Sequence, residues 1–547
     1  MPGIPQRRMA PPREVRPPWW QREGVISRVL AVAGVGVTLI GVVMLLVLAA
    51  QAGFFGPVPR VVAGAVFSGA LVAAAVRVHG RAGGYVGAVA LAATGIAGGY
   101  LDVVAVTSIY DWVHPVAGLA VAFGIAAAGV WLAVQWRSQA LAVLVVLGAA
   151  VLSPVITTEM ALLAFLLVLQ IAAVPVQLGR DWPYLHIVRT VPAALAILIS
   201  VAAVGFEGRR SGSIREEVLA AAIVAAVAGL AGAILVVRRR AGDLTASVSF
   251  AAAGIPLVAA TAMFERAGAV SLAVGYAVVL FAVAVLPWVP KLGAAARIPG
   301  HLAIVSAVVG ACSLLIGCFR ATTFETLPIA LFLVALGFLA VGAQQRSKVA
   351  AWIGAAFAGL GAGVFLDIAA PGMLAGQRSA EAHLGVSTAL AAVAALGVVA
   401  VALWCARRIG LLGSENTTST AAVLAGILGL YAVTVLTVSV GVATGDKDGF
   451  LAGHGIATII WMVTATAALL FGLRRLARTP QQAKVALAGG LLVTAAALAK
   501  LFLFDLATLD GLVRAAAFLA VGVLLLVAGT RYARAFAEAA DRETPAP

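Results

Sequence analysis

Near its end the chain reads Lys500-Leu501-Phe502-Leu503-Phe504-Asp505, two opposite charges on the edge of a long apolar run, and Asp510 and Arg514 follow within ten residues. Residues of these types can bind a charged group, relay a proton or pair with one another. Which of these they do depends on where the apolar run sits. A lysine at the centre of a membrane helix costs about 2.5–3.5 kcal/mol on insertion scales, whereas near a helix end it can snorkel to the interface. Lys500 and Asp505 are five residues apart, about 140° around an ideal helix, so they pair poorly unless the helix unwinds after Phe504. Asp510 and Arg514 have the i,i+4 spacing of a helical ion pair, with the acid at the favourable N-terminal end. The arrangement predicts a charged clasp that fixes the last hairpin, a reading favoured over a substrate site. Lys500 is expected to face the bundle interior and to meet a carboxylate, either Asp505 or one from another helix such as Asp367. These five residues form the candidate binding set, and no catalytic residue is assigned.

Composition supplies the membrane. Of 547 residues, 63% are hydrophobic and 11% charged, with a mean hydropathy of +1.08. A soluble domain of this size needs far more polar surface. Cys312, Cys318 and Cys405 lie inside apolar runs without CxxC spacing, and the six histidines form no HxxxH or HExxH pair. That pattern predicts neither a disulfide framework nor a metal site, and no cofactor is expected.

A bilayer-spanning helix needs about 20 apolar residues, and with that ruler the chain divides into about eighteen segments from 29–51 to 511–530. The predicted fold is all-α, a polytopic transmembrane helical bundle with short loops and no soluble domain. Residues 1–28 form a Pro/Arg-rich tail, 29–530 the bundle and 531–547 a C-terminal tail. The run from Val29 to Ala50 exceeds a signal-peptide core and reads as a retained first helix. The even-numbered loops carry Arg77, Arg81, Arg137, Arg180, Arg189, Arg238, Arg239, Arg240, Lys291, Arg297, Arg346, Lys348, Arg407, Arg408, Arg474, Arg475, Arg478 and Lys484 against only Asp181, Asp243 and Glu415. The odd loops are acid-rich, and Asp102, Asp111 and Glu159 read there as solvated loop charges. The positive-inside rule then places the even loops and both termini in the cytoplasm of a plasma-membrane protein. It also accounts for the net charge of +15 without nucleic acid. The expected partners are the lipid bilayer and membrane or envelope proteins.

Three stretches go beyond generic membrane composition. Gly53-Phe54-Phe55-Gly56-Pro57-Val58-Pro59-Arg60 joins the first two segments, and Trp136-Arg137-Ser138-Gln139-Ala140-Leu141-Ala142 leads to Leu152-Ser153-Pro154-Val155. Ala499-Lys500-Leu501-Phe502-Leu503-Phe504-Asp505 runs on to Gly511-Leu512-Val513-Arg514. In this order they resemble the bacterial multi-spanning membrane proteins grouped as domain of unknown function 2339, over about residues 24–180 and 453–534. The resemblance implies an all-helical membrane fold and no activity. A weaker echo links Gln135-Trp136-Arg137-Ser138 to Gln344-Gln345-Arg346-Ser347, which either records duplicated hairpins or reflects the sameness of basic turns.

Many helices, small loops and prolines within spans (Pro154, Pro175, Pro256) point to a transporter or flippase of an envelope-related molecule. The alternative is a scaffold that organises envelope proteins through small-residue helix faces. A membrane enzyme acting on a lipid-linked substrate ranks lower, because there is no GxSxG, P-loop or Cys/His constellation and the first outer loop contains no acid. Reporter fusions at the C-terminus and within 442–452 should give opposite sidedness; matching signals would show a span miscounted between them.

Overall fold

Without water, a backbone crossing hydrocarbon must satisfy its own N–H and C=O groups, and an apolar chain does so by forming helices. The computed structural model describes residues 56–207, 212–289, 291, 297–377, 384–445, 448–475, 480–502, 515, 518–527 and 529–530, with single helical positions between 34 and 48. In chain order the helices are α1 Pro57–His79, α2 Tyr85–Val104, α3 Pro115–Gln135, α4 Gln139–Ile156, α5 Met160–Ala172, α6 Val174–Gly179, α7 Pro183–Glu207, α8 Gly212–Arg239 and α9 Leu244–Ala259. They continue as α10 Arg266–Val285, α11 Gly300–Ala321, α12 Leu327–Gln345, α13 Lys348–Ile368, α14 Pro371–Ala375, α15 Val386–Arg408, α16 Glu415–Ala443, α17 Gly449–Arg475 and α18 Pro480–Lys500. A shorter apolar helix, α19, covers Phe518–Val527. No strand occurs among the described residues.

Sixteen helices among the described residues are long and apolar enough to cross a membrane. Each coincides with one of the segments expected from sequence. The first expected segment, 29–51, lies largely outside the described residues, and the last is represented by α19. The protein is thus an all-α polytopic bundle. Its contacts divide it into two compact units, one of Met1–Glu265 with Val278–Val309 and one of Arg266–Ala277 with Gly310–Pro547.

In the first unit, the even-numbered turns meet one another. His79 stacks on Trp136 with ring centroids 4.4 Å apart. Arg180 Nη2 donates to the Val134 carbonyl at 3.3 Å, Arg239 Nη1 to Leu178 at 3.4 Å and Arg240 Nη1 to Arg180 at 2.7 Å. His301 Nε2 donates to the Ala241 carbonyl at 2.7 Å, which leaves Nδ1 to accept from the Ser247 hydroxyl at 2.9 Å. Basic residues that read as orientation signals therefore also cap the carbonyls with which helices end. On the odd side, Ser108 Oγ donates to Val155 O at 2.8 Å. Pro154 cannot bond the Ala150 carbonyl one turn back; the Ser153 hydroxyl takes that carbonyl instead, at 3.0 Å. The Ser-Pro pair thus lets a proline stand inside α4 without an orphaned carbonyl.

The sequence echo is also an echo of geometry. Arg137 and Arg346 both adopt left-handed backbone, at φ 52° and 51°. Ser138 N–H closes on Ala133 O at 2.9 Å and Ser347 N–H on Gly342 O at 3.0 Å. Each serine then caps the next helix, accepting at 3.3 Å from Leu141 N and Ala350 N respectively. A left-handed arginine is an unusual shared choice where glycine is the default, and it supports the duplicated-hairpin alternative.

Small residues set the spacing in the second unit. A Cβ on Gly354 of α13 would stand 2.8 Å from Leu339 Cγ and 2.9 Å from Leu339 N of α12, while one on Gly359 would meet nothing within 4 Å. Gly354→Val should therefore lose about 1–3 kcal/mol to overpacking, and Gly359→Val in the same helix should be close to neutral. Thermal unfolding of the purified variants in detergent reads the difference.

Candidate functional site

Lys500 ends α18 half-buried, and its Nζ donates to the His454 carbonyl at 3.0 Å and to Thr458 Oγ1 at 2.6 Å. Both partners lie on one face of α17, four residues apart. His454 is 3% exposed and Thr458 fully buried. Phe450, a further turn back, meets the His454 ring edge-on with centroids 4.7 Å apart. The flanking Gly453 lets α17 approach α16 closely, because a Cβ there would stand 2.6 Å from Thr437 O and Val438 Cα. Of the other sequence candidates, Asp505, Asp510 and Arg514 lie outside the described residues. Asp367 is exposed near the end of α13 and makes no hydrogen bond or ion pair with another described residue. The structure does not bring Asp367 to Lys500. Two of the groups that Lys500 meets are a carbonyl and a hydroxyl on the facing helix α17.

Asp102 corrects the sequence reading more sharply. It is not a solvated loop charge, because helix continues past it through Val104 and a π-helical turn at Ala105–Ile109. At 1.5 Å per residue, Asp102 lies roughly 12 Å below Tyr110, which stacks on Trp112 with centroids 5.0 Å apart. Such an aromatic pair belongs at the interface. The Asp102 carboxylate packs against Gly64 of α1, at the position a Cβ would occupy. Its Oδ2 is buried with no hydrogen-bond partner. Arg60 stands one turn from Gly64 on the same face of α1. Around Asp102, α1, α2 and α3 enclose a groove of about 470 Å³. Gly69, Gly95, Gly99 and Gly129 line it together with Val61, Ile96, Val121 and Ile125, and Ser68 adds a hydroxyl.

A third cluster surrounds Arg189, which loop charge counting places in a cytoplasmic loop. It lies inside α7 and is 3% exposed. Its Nη1 donates to Gln170 O at 3.1 Å, a carbonyl near the point where Pro175 interrupts the span between α5 and α6. Gly232 of α8 makes room for the guanidinium, since a Cβ there would stand 3.2 Å from Arg189 Nη2. Gln170, Gln177 and His186 are also buried, at 0%, 1% and 1% exposure. His186 Nε2 lies 3.3 Å from Asp243 Oδ2, and Asp243 Oδ1 accepts from Thr245 Oγ1 at 2.6 Å and Ala246 N at 3.1 Å, capping α9. The readable signal was that the apolar run 185–204 continues on both sides of Arg189.

The geometry now has a family beside it. The family described as predicted membrane protein (DUF2339) matches residues 27–191 and 389–535, more than half of the chain. The chain belongs to this family. The matched segments contain Arg60, Asp102, His186, Arg189, His454, Thr458 and Lys500, whereas Asp243 and Asp367 fall between them. No curated protein and no solved structure matches the chain. Family membership agrees with the multi-pass bundle and specifies no reaction.

Asp243 stands in a turn outside the spans. Burial alone would raise its pKa, but hydrogen bonds from Thr245 and Ala246 and the neighbouring His186 outweigh burial and hold it below the ordinary carboxylate value. A lowered carboxylate stabilises the fold above its unfolded-state pKa, near 3.9, and that stability is lost as pH falls through the folded value. Asp243→Ala should cost about 1–2 kcal/mol at pH 7 through loss of the cap. Its deficit against wild type should shrink only below about pH 4, as followed by thermal unfolding across pH.

Proposed function

We propose that this protein is a transporter or flippase of an envelope-related molecule in the plasma membrane, with both termini in the cytoplasm. The observation that carries the reading is the Asp102 carboxylate, set at membrane depth in a lipid-open groove. Ionisable groups within spans are expensive and mark substrate or ion pathways. The groove offers an apolar bed for a hydrocarbon portion, with a carboxylate and the Ser68 hydroxyl for polar recognition. Lys500, with His454 and Thr458, supplies a second intramembrane polar centre. Asp367, Asp505, Asp510 and Arg514 remain proposed members of the binding set.

A scaffold is the second reading, and the glycines favour it. A groove walled by Gly69, Gly95, Gly99 and Gly129 also has the form that receives a partner helix. One complementation experiment separates the two. A deletion strain is scored for the lipid and glycan composition of each envelope leaflet, then supplied with wild type, Asp102→Asn, Lys500→Met, Lys500→Arg or Gly69→Leu. A Cβ at Gly69 meets nothing within 4 Å, and the position is exposed, so the side chain has room to begin without a clash; normal insertion of this variant is checked alongside. Transport predicts that Asp102→Asn inserts normally but fails to restore the wild-type distribution. A functional charge at position 500 predicts that Lys500→Arg works and Lys500→Met does not. Full activity of Asp102→Asn together with failure of Gly69→Leu would overturn transport in favour of the scaffold.

A further inference from the structure

A second pocket lies in the other unit, where the end of α15, the start of α16, the end of α17 and the start of α18 converge. It measures about 490 Å³, and its lining includes Arg407, Thr418, Ser419, Ala422 and Phe471. Arg407 is exposed in the last turn of α15 and makes no hydrogen bond or ion pair with another described residue. Thr418 Oγ1 is committed to the Ser414 carbonyl at 3.0 Å. The Ser419 hydroxyl has no partner among the described residues. The pocket therefore presents a fork of guanidinium donors beside a hydroxyl.

The surroundings are cationic. Arg408 and Arg475 lie over the rings of Trp404 and Phe471, at 5.8 Å and 5.4 Å from their centroids, and Lys484 is exposed in the first turns of α18. Glu415 is the one carboxylate in the first turn of α16. Deeper along the face of α16 that carries Ser419, Val423 and Ile427 follow at four-residue spacing, 45% and 58% exposed. A polar, positively charged mouth at the helix ends thus opens onto an exposed apolar track of the kind along which an acyl chain can lie.

We propose that this pocket binds an anionic phospholipid, with the headgroup phosphate held by Arg407 and Ser419 and an acyl chain lying along Val423 and Ile427. Arginine presents its donors in a planar fork matched to phosphate oxygens, and basic pockets between helix ends are sites of lipid headgroup recognition. The site is separate from the Asp102 groove and does not depend on transport.

Native mass spectrometry of the full-length protein, exchanged into mixed micelles of phosphatidylglycerol and phosphatidylcholine, reads the bound lipid. Wild type should retain phosphatidylglycerol over phosphatidylcholine. Arg407→Gln should lower that retention about tenfold, while Arg81→Gln, an exposed arginine of the first unit, should leave it unchanged. Ala422→Leu fills the pocket without altering charge and should also abolish retention, which decides the matter if Arg407→Gln fails to assemble. Equal retention of the two lipids, or retention untouched by Ala422→Leu, would overturn the proposal. So would displacement of the lipid by millimolar inorganic phosphate, which would identify the ligand as free phosphate.

Discussion

The constraint on which everything else depends is that a group inside hydrocarbon has no water to bond with. It makes every span a helix, and it leaves each helix end and each interrupted turn with groups that must be satisfied locally. The protein meets this need with neighbouring side chains. Arg239 and Arg240 bond carbonyls at the ends of adjoining segments. Ser153 takes the carbonyl that Pro154 cannot bond, and Arg189 takes one where the span is interrupted at Pro175. Basic residues explained by topology alone are, in the first unit, also the bonds that hold the turns together.

The same constraint explains which parts of the structure could be read from the sequence. Span positions were legible because hydropathy integrates over about 20 residues and tolerates a boundary error of a few. Charge bias was legible as well, because it is summed over whole loops. Individual charges were not. A charge at the edge of an apolar run reads as the loop boundary, so Asp102 reads as a solvated loop charge, and counting charges by loop places Arg189 among the cytoplasmic positives. In the structure the apolar residues beyond each of them continue the helix, Val103 and Val104 in one case and the run from Leu185 in the other.

Partner choice was harder still. Lys500 is expected to meet a carboxylate, and Asp505 lies outside the described residues; two of the groups it meets are a hydroxyl and a carbonyl more than forty residues away in sequence. No local spacing rule encodes that distance. It depends on how closely α18 lies along α17, and that closeness is set by small residues. A Cβ on Gly472 of α17 would stand 2.7 Å from Leu487 Cγ, and one on Gly490 of α18 would stand 2.8 Å from Leu469 Cγ. The repeated turn at Arg137 and Arg346 was legible as letters, but its meaning lay in the backbone, where both arginines take the same left-handed conformation.

Glycine connects these observations. Gly64 faces the Asp102 carboxylate, Gly232 faces the Arg189 guanidinium, and Gly453 adjoins His454 where Lys500 docks. In a membrane helix a glycine admits a neighbouring helix at short range, and the same missing side chain leaves room for a bulky polar group from that neighbour. A charge opposite a glycine is shielded from lipid on one side by backbone, which supplies dipoles that a leucine wall would not. This gives glycine two roles in these spans. Gly354, opposite Leu339, only tightens a hairpin, whereas Gly64 and Gly232 make space for charge. A glycine-rich stripe therefore says little by itself, and the group on the facing helix decides whether the close approach serves packing or a polar site.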